Sequence, residues 1–123
     1  MNARRPFVSV VDDDESVRES LPDLLKEFGF AVRAFSSAEE FLASDSLSRT
    51  NCLILDIAMP GMSGPELQRE LTRRRRRIPI VFVTAHADEA VCQRSLERCG
   101  AQCLLKPFSE SALIEAVNAA LGA

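Results

Sequence analysis

The chain holds one histidine, His86, and its four cysteines, Cys52, Cys92, Cys99 and Cys103, form no CxxC pair. A structural zinc site needs more imidazole or closely paired thiols, so these residues exclude one. They are expected instead to be reduced, buried thiols of a cytosolic protein. No apolar run approaches the length of a membrane span. The opening MNARRPFVSVVDDD has too short an apolar stretch for a signal peptide. Positive charge is not in excess: 15 Lys and Arg stand against 18 Asp and Glu, a net charge of -3, which gives no reason to expect nucleic-acid binding. No glycine-rich loop follows the first apolar run. A flavin or nucleotide carrier therefore lacks its phosphate cradle, and acids stand in its place. Internal repeats, linkers and low-complexity segments are absent as well.

What is present is a chain of 123 residues, 46% hydrophobic and 27% charged, which suits one globular domain with a real core. Strand and helix patterns alternate along it. Phe7 to Val11 and Cys52 to Leu55 are apolar without alternation, as strands buried on both faces are. Between them, Val17, Leu21, Leu24, Leu25 and Phe28 share a helical face. Pro22 should kink that helix unless it starts later, and Gly29 ends it. Ala31 to Phe35 reads as a second strand. Ser37 with Glu40, and Ser63 with Glu66, make capping boxes that open two further helices. Asp45 to Asn51 reads as a polar loop. The run Arg73 to Arg77 reads as the close of a helix, where cations suit the negative dipole end, and Pro79 as its stop. Ile80 to Val83 is a fourth strand, Asp88 to Cys99 a helix, Gln102 to Leu105 a fifth strand, and Ser109 the cap of a last helix with Leu113, Val117, Ala120 and Leu121 inward. Five βα units in series predict a parallel sheet with helices on both faces.

In such sheets the site forms outside the carboxyl ends of the strands. Those ends carry Asp12 and Asp13, Asp56, Thr84 and Lys106. Three carboxylates converging there would raise one another's pKa, and a hard divalent cation with oxygen ligands resolves the repulsion.

With these residues in place, the chain resembles the receiver domain of two-component response regulators over its whole length, 1–123. The matching motifs are VVDDDESVRESL, LDIAMPGMSG, VTAH and LLKPF. The resemblance implies a flavodoxin-like (βα)5 fold with strand order 2-1-3-4-5. It implies that Asp56 is the nucleophile that becomes an aspartyl phosphate. It implies Mg²⁺, or Mn²⁺ in its place, bound by Asp13, Asp56 and the backbone carbonyl of Ala58, with Asp12 acting through a metal-bound water. Lys106 would hold one phosphoryl oxygen and Thr84 another, and Pro107 would follow a cis peptide. The implied donor is a sensor histidine kinase or phosphotransfer protein in the cytoplasm, and the implied readout is a two-state shift. That shift would repack the surface around the helix of residues 88–99 and the fifth strand, and so control a homodimer or an output domain. The Ser-Val-Arg-Glu-Ser-Leu stretch and the MPGMSG loop are similar to the nitrogen-fixation type, whose usual output is a DNA-binding helix-turn-helix.

Two positions depart from the family or modulate it. Cys103 stands where an aromatic switch residue is usual, so the coupling to Thr84 is expected to be weaker or carried by a neighbour. His86, at the rim, is either an exposed loop residue or one that shapes access of hydrolytic water. The chain is read as consumed once per event rather than as an enzyme. A phosphatase of the haloacid dehalogenase type would want a second acid where Ala58 stands. The sequence leaves two arrangements open: a stand-alone receiver acting through protein contacts or a phosphorelay, or a domain cut from a longer chain.

Overall fold

The computed structural model describes residues 5–84 and 102–122 of the chain. The helix expected over 88–99, Ala85, His86, Cys92 and Cys99 lie outside the described residues. Five parallel strands form one sheet: β1 (Phe7–Val11), β2 (Ala31–Phe35), β3 (Cys52–Asp56), β4 (Ile80–Thr84) and β5 (Gln102–Leu105). Their order is β2-β1-β3-β4-β5, as the resemblance implies. The described helices are α1 (Glu15–Glu27), α2 (Ala38–Ala43), α3 (Gly64–Arg73) and α4 (Glu110–Gly122).

The unalternated apolar strands have the physical consequence expected of them: the sheet carries a hydrophobic layer on each face. On one face Val11, Leu53, Leu55 and Phe82 pack with Phe35, Phe41, Leu67 and Leu71, under α2 and α3. On the other, Val8, Val10, Ile54, Val81 and Val83 pack with Leu21 and Leu25 of α1 and with Leu113 and Val117 of α4. The register pairs Val11 with Leu55 and Asp56 with Val83, so the three central strands end nearly level.

Several local expectations need correction. α1 begins at Glu15 and has Pro22 inside it, so the alternative of a later start after the proline does not hold. Phe28 is the C-cap residue and is 52% exposed, while Phe30 turns back into the core. Its place in the helical pattern was a coincidence of spacing at a helix end. The loop after α2 contains a short 3-10 helix, Asp45–Ser48. α3 ends at Arg73 with Arg74 as its cap, well before Pro79, and Arg75 adopts a left-handed φ of 61°. The arginine run therefore closes the helix with its first two members only. Cys52 is free and buried. Cys103 is disulfide-bonded, so the expectation of four reduced thiols does not hold.

Candidate functional site

Local sequence explains why acids gather at one edge. β1 ends at Val11 and the backbone N–H of Asp12 still donates to Phe35 O at 3.1 Å, which carries Asp12 one step past the strand in register with β2. The Asp12 carboxylate then accepts the Asp14 N–H at 2.9 Å, folding the chain into a turn. Asp14 caps α1: its carboxylate accepts both the backbone N–H and the hydroxyl of Ser16, which hold its pKa low. β3 ends at Asp56, and Ile57 N–H reaches across to Val83 O at 3.1 Å. β4 ends at the buried Thr84, whose carbonyl accepts the Lys106 N–H at 2.8 Å. The Lys106–Pro107 peptide is cis.

These ends bring the predicted residues together. Asp12, Asp13 and Asp56 each place a carboxylate oxygen within 4.8 Å of the others. Asp12 and Asp56 are buried, and Asp13 is exposed at the mouth. Lys106 Nζ lies 3.0 Å from Asp12 Oδ2 and 3.9 Å from Asp56 Oδ1. The nearer approach is an ion pair by distance, yet Asp12 Oδ2 is fully buried and makes no hydrogen bond. A buried carboxylate oxygen without a directed donor is costly.

The electrostatics follow from this packing. Burial pushes the Asp56 carboxyl up, the Asp12 charge pushes it further, and Lys106 only partly offsets both, so its pKa stands at about 7. Burial pulls the Lys106 ammonium down, but its pairing with Asp12 and then Asp56 outweighs that, and it is held above its ordinary value. An acidic pocket with one ammonium, an unsatisfied buried oxygen and an exposed third carboxylate is short of positive charge. The donor set is all oxygen, which suits Mg²⁺ or Mn²⁺ rather than a soft metal.

Ala58 lies exposed in the bend after β3, next to the carboxylates in sequence. The loop beyond it is tied down at two points. Gly64 N–H donates to Ile57 O at 2.9 Å. A Cβ on Gly64 would stand 2.5 Å from Asp56 O, so only glycine lets α3 start so close to the Asp56 backbone. Farther out, Glu39 of α2 accepts the Met62 N–H at 3.2 Å. Cys103 is partly buried beside the α2–α3 layer, opposite Phe82 in register. His86 lies outside the described residues.

Sequence reasoning overlooked Arg18, whose Nη1 donates to Asp12 O at 3.0 Å, and the Glu39 contact. Arg18 follows Asp14 by one turn of α1, so it could have been found by projecting that turn back over the strand end. Glu39 had no such local signal, because its partner lies 23 residues away.

Comparison with known proteins gives one consistent result. Residues 8–118 match the family described as response regulator receiver domain. The chain is 42% identical over 116 residues to nodulation protein W of Bradyrhizobium diazoefficiens, covering 94% of this chain and 51% of that protein. It is 40% identical over 115 residues to the transcriptional regulatory protein FixJ of Azorhizobium caulinodans, covering 94% and 54%. Among solved structures, the response regulator StyR superposes with a TM-score of 0.87 at 48% identity, over 97% of this chain and 60% of that one. The chain thus spans about half the length of the curated relatives it matches.

Proposed function

The chain belongs to the response regulator receiver domain family, and from that premise we propose that Asp56 accepts a phosphoryl group from the phosphohistidine of a sensor kinase or phosphotransfer protein. The observation that carries the assignment is the convergence of three carboxylates within 4.8 Å around one lysine. An oxygen of Asp56 attacks phosphorus, the new O–P bond forms as the donor N–P bond breaks, and the electron pair leaves on the imidazole nitrogen, which takes up a proton. Asp13, Asp56 and the Ala58 carbonyl would hold Mg²⁺ or Mn²⁺ directly, and Asp12 through water. Bound there, the ion keeps Asp56 ionised and offsets the charge of the incoming phosphoryl oxygens. Lys106, already poised between Asp12 and Asp56, shifts its ammonium to one of those oxygens, and Thr84 turns its hydroxyl to another. Arg18 and the Asp14 turn fix the backbone of Asp12 while this happens.

Phosphorylation adds roughly -1.5 to -2 charges and three acceptors beneath the end of β4. The readout we infer is a rearrangement of Thr84 with the surface along β5, where Leu105 is 37% exposed. That surface would control a dimer or an output domain, and the similarity to the transcriptional regulatory protein FixJ favours transcription as the output. Such coupling is typically about 1–3 kcal/mol. Cys103 and Pro107 flank the moving lysine and tune the response. Proposed along with this are a cytoplasmic setting and the absence of turnover on a separate substrate.

Intact-mass measurement with acetyl phosphate and Mg²⁺ tests the core of the reading. A gain of one phosphoryl group is expected in the parent chain and none in Asp56→Asn. An unmodified parent, or equal gain in both, would sink it.

A further inference from the structure

The arginine run has work left over after α3 is capped. Glu70 takes Arg73 and Arg74: the Arg74 Nε lies 2.6 Å from its carboxylate, and the two guanidiniums bring the Glu70 pKa down to about 2. Arg75, Arg76 and Arg77 lie past the helix end, all exposed, and among the described residues no carboxylate pairs with them. They lead into Pro79 and the start of β4. That is the amino-terminal edge of the sheet, the pole opposite the three aspartates. The separation is roughly 16 Å, five residues of strand at about 3.3 Å each.

The same pole holds an open cavity of about 1090 Å³. Arg5, Phe7, Ser48, Arg49, Pro79 and Leu121 are among its lining residues, and none of the described lining residues carries a carboxylate. The Arg49 guanidinium lies over the Phe7 ring at 4.9 Å, which holds its fork in place at the rim. A net charge of -3 argues against nucleic-acid binding only if charge is spread evenly. Here it is uneven: the acids that the phosphoryl site needs sit at one end of the sheet, while Arg5, Arg49 and Arg75 to Arg77 lie toward the other and, among the described residues, make no salt bridge.

We propose that this basic pole, formed by Arg5, Arg49 and Arg75 to Arg77, binds the phosphodiester backbone of duplex DNA. Guanidinium forks match phosphate oxygens in a bidentate way, and DNA presents one negative charge per about 1.7 Å, a density that an acidic peptide reaches only by ordering itself. Leu121 lines the cavity, so α4 ends at this pole. The preference for DNA over an acidic protein rests on the transcriptional output proposed above. The contact carries no base readout. It adds phosphate contacts, which position rather than specify.

Fluorescence anisotropy with a labelled 20-bp duplex and the 123-residue chain tests this. Binding is expected at about 20 mM salt, weakening as salt rises. The triple variant R75S/R76S/R77S should bind at least tenfold more weakly, with a log–log salt slope shallower by about 2–3. Arg77→Glu alone, at an exposed position, should weaken binding at least threefold, which keeps the test decisive if the triple variant misfolds. Both variants should still gain a phosphoryl group from acetyl phosphate, so failure here is separable from failure at Asp56. No binding at low salt, binding unaffected by the variants, or tighter binding to poly-glutamate than to DNA at equal salt would each overturn the proposal.

Discussion

Asp56, the proposed phosphoryl acceptor, is kept partly protonated by its own surroundings. Its ordinary pKa is 3.8, and burial together with Asp12 raises it to about 7 in the folded chain. At pH below about 4 the carboxyl is protonated in both folded and unfolded states and contributes nothing. Between about 4 and 7 the unfolded chain has released a proton that the folded chain still holds, so stability falls as pH rises through that window. Above 7 the whole penalty is present, and it amounts to a few kcal/mol at most because Lys106 stands close. Asp56→Asn should therefore stabilise the metal-free protein at pH 8 by about 1–2 kcal/mol, and change little at pH 4. Urea midpoints in EDTA at the two pH values measure this; a less stable variant at pH 8 would mean that pairing with Lys106 outweighs burial. Mg²⁺ should narrow the gap by stabilising the parent more than the variant. At this scale the sequence was readable where a residue closes an apolar run, as Asp12 and Asp56 do. It was unreadable where the partner comes from a distant element, as with Glu39. Ser9, inside an otherwise apolar strand, is fully buried because it pairs with the Thr50 hydroxyl at 2.7 Å, and nothing local announced that partner.

Elements begin and end by rules that local sequence carries, and they fail where packing intervenes. The Ser63–Glu66 box is reciprocal: Ser63 N–H donates to the Glu66 carboxylate at 2.8 Å and Glu66 N–H to the Ser63 hydroxyl at 3.3 Å. The Ser37–Glu40 box is only half of one, because the Glu40 carboxylate takes the Ser36 N–H instead, at 2.7 Å. Helix ends were harder to read than starts. Phe28 and the arginine run both continued a pattern past the point where the backbone had stopped being helical. The start of α3 separates two kinds of contribution. Ser63→Ala should cost about 1 kcal/mol of stability through the lost cap. It should leave phosphorylation of Asp56 by acetyl phosphate near the parent rate. Gly64→Ala should cost more, about 2–3 kcal/mol, and slow phosphorylation as well, since its Cβ displaces the Asp56 carbonyl. Thermal melts and timed intact-mass measurements distinguish them. Equal rates in the two variants would show that the close approach at Gly64 does not position the nucleophile.

Among the described residues the sheet separates two hydrophobic layers, one on each face, and the site lies at an edge where both layers end. The parallel sheet was legible because each strand is a short apolar run with a polar stop and the crossovers between such strands are right-handed, whereas the strand order was implied only by the resemblance to the receiver family. The charge polarity was not legible, because net charge sums over both poles and hides their difference. Leu67 of α3 is fully buried in one layer and Val117 of α4 in the other. Leu67→Ala should cost about 2–4 kcal/mol, and Val117→Ala roughly 1–2.5 kcal/mol. With a sheet between them the two share no side-chain partner, so the double variant should lose the sum within about 0.5 kcal/mol. The proposed phosphorylation would act at an edge of the sheet where both layers end, so it could couple them. Repeating the cycle on the aspartyl phosphate, held long enough by fast chemical denaturation, should then give a departure from additivity beyond 0.5 kcal/mol. Additivity in both states would mean that the phosphoryl signal stays within one layer and reaches the surface without passing through the core of the other.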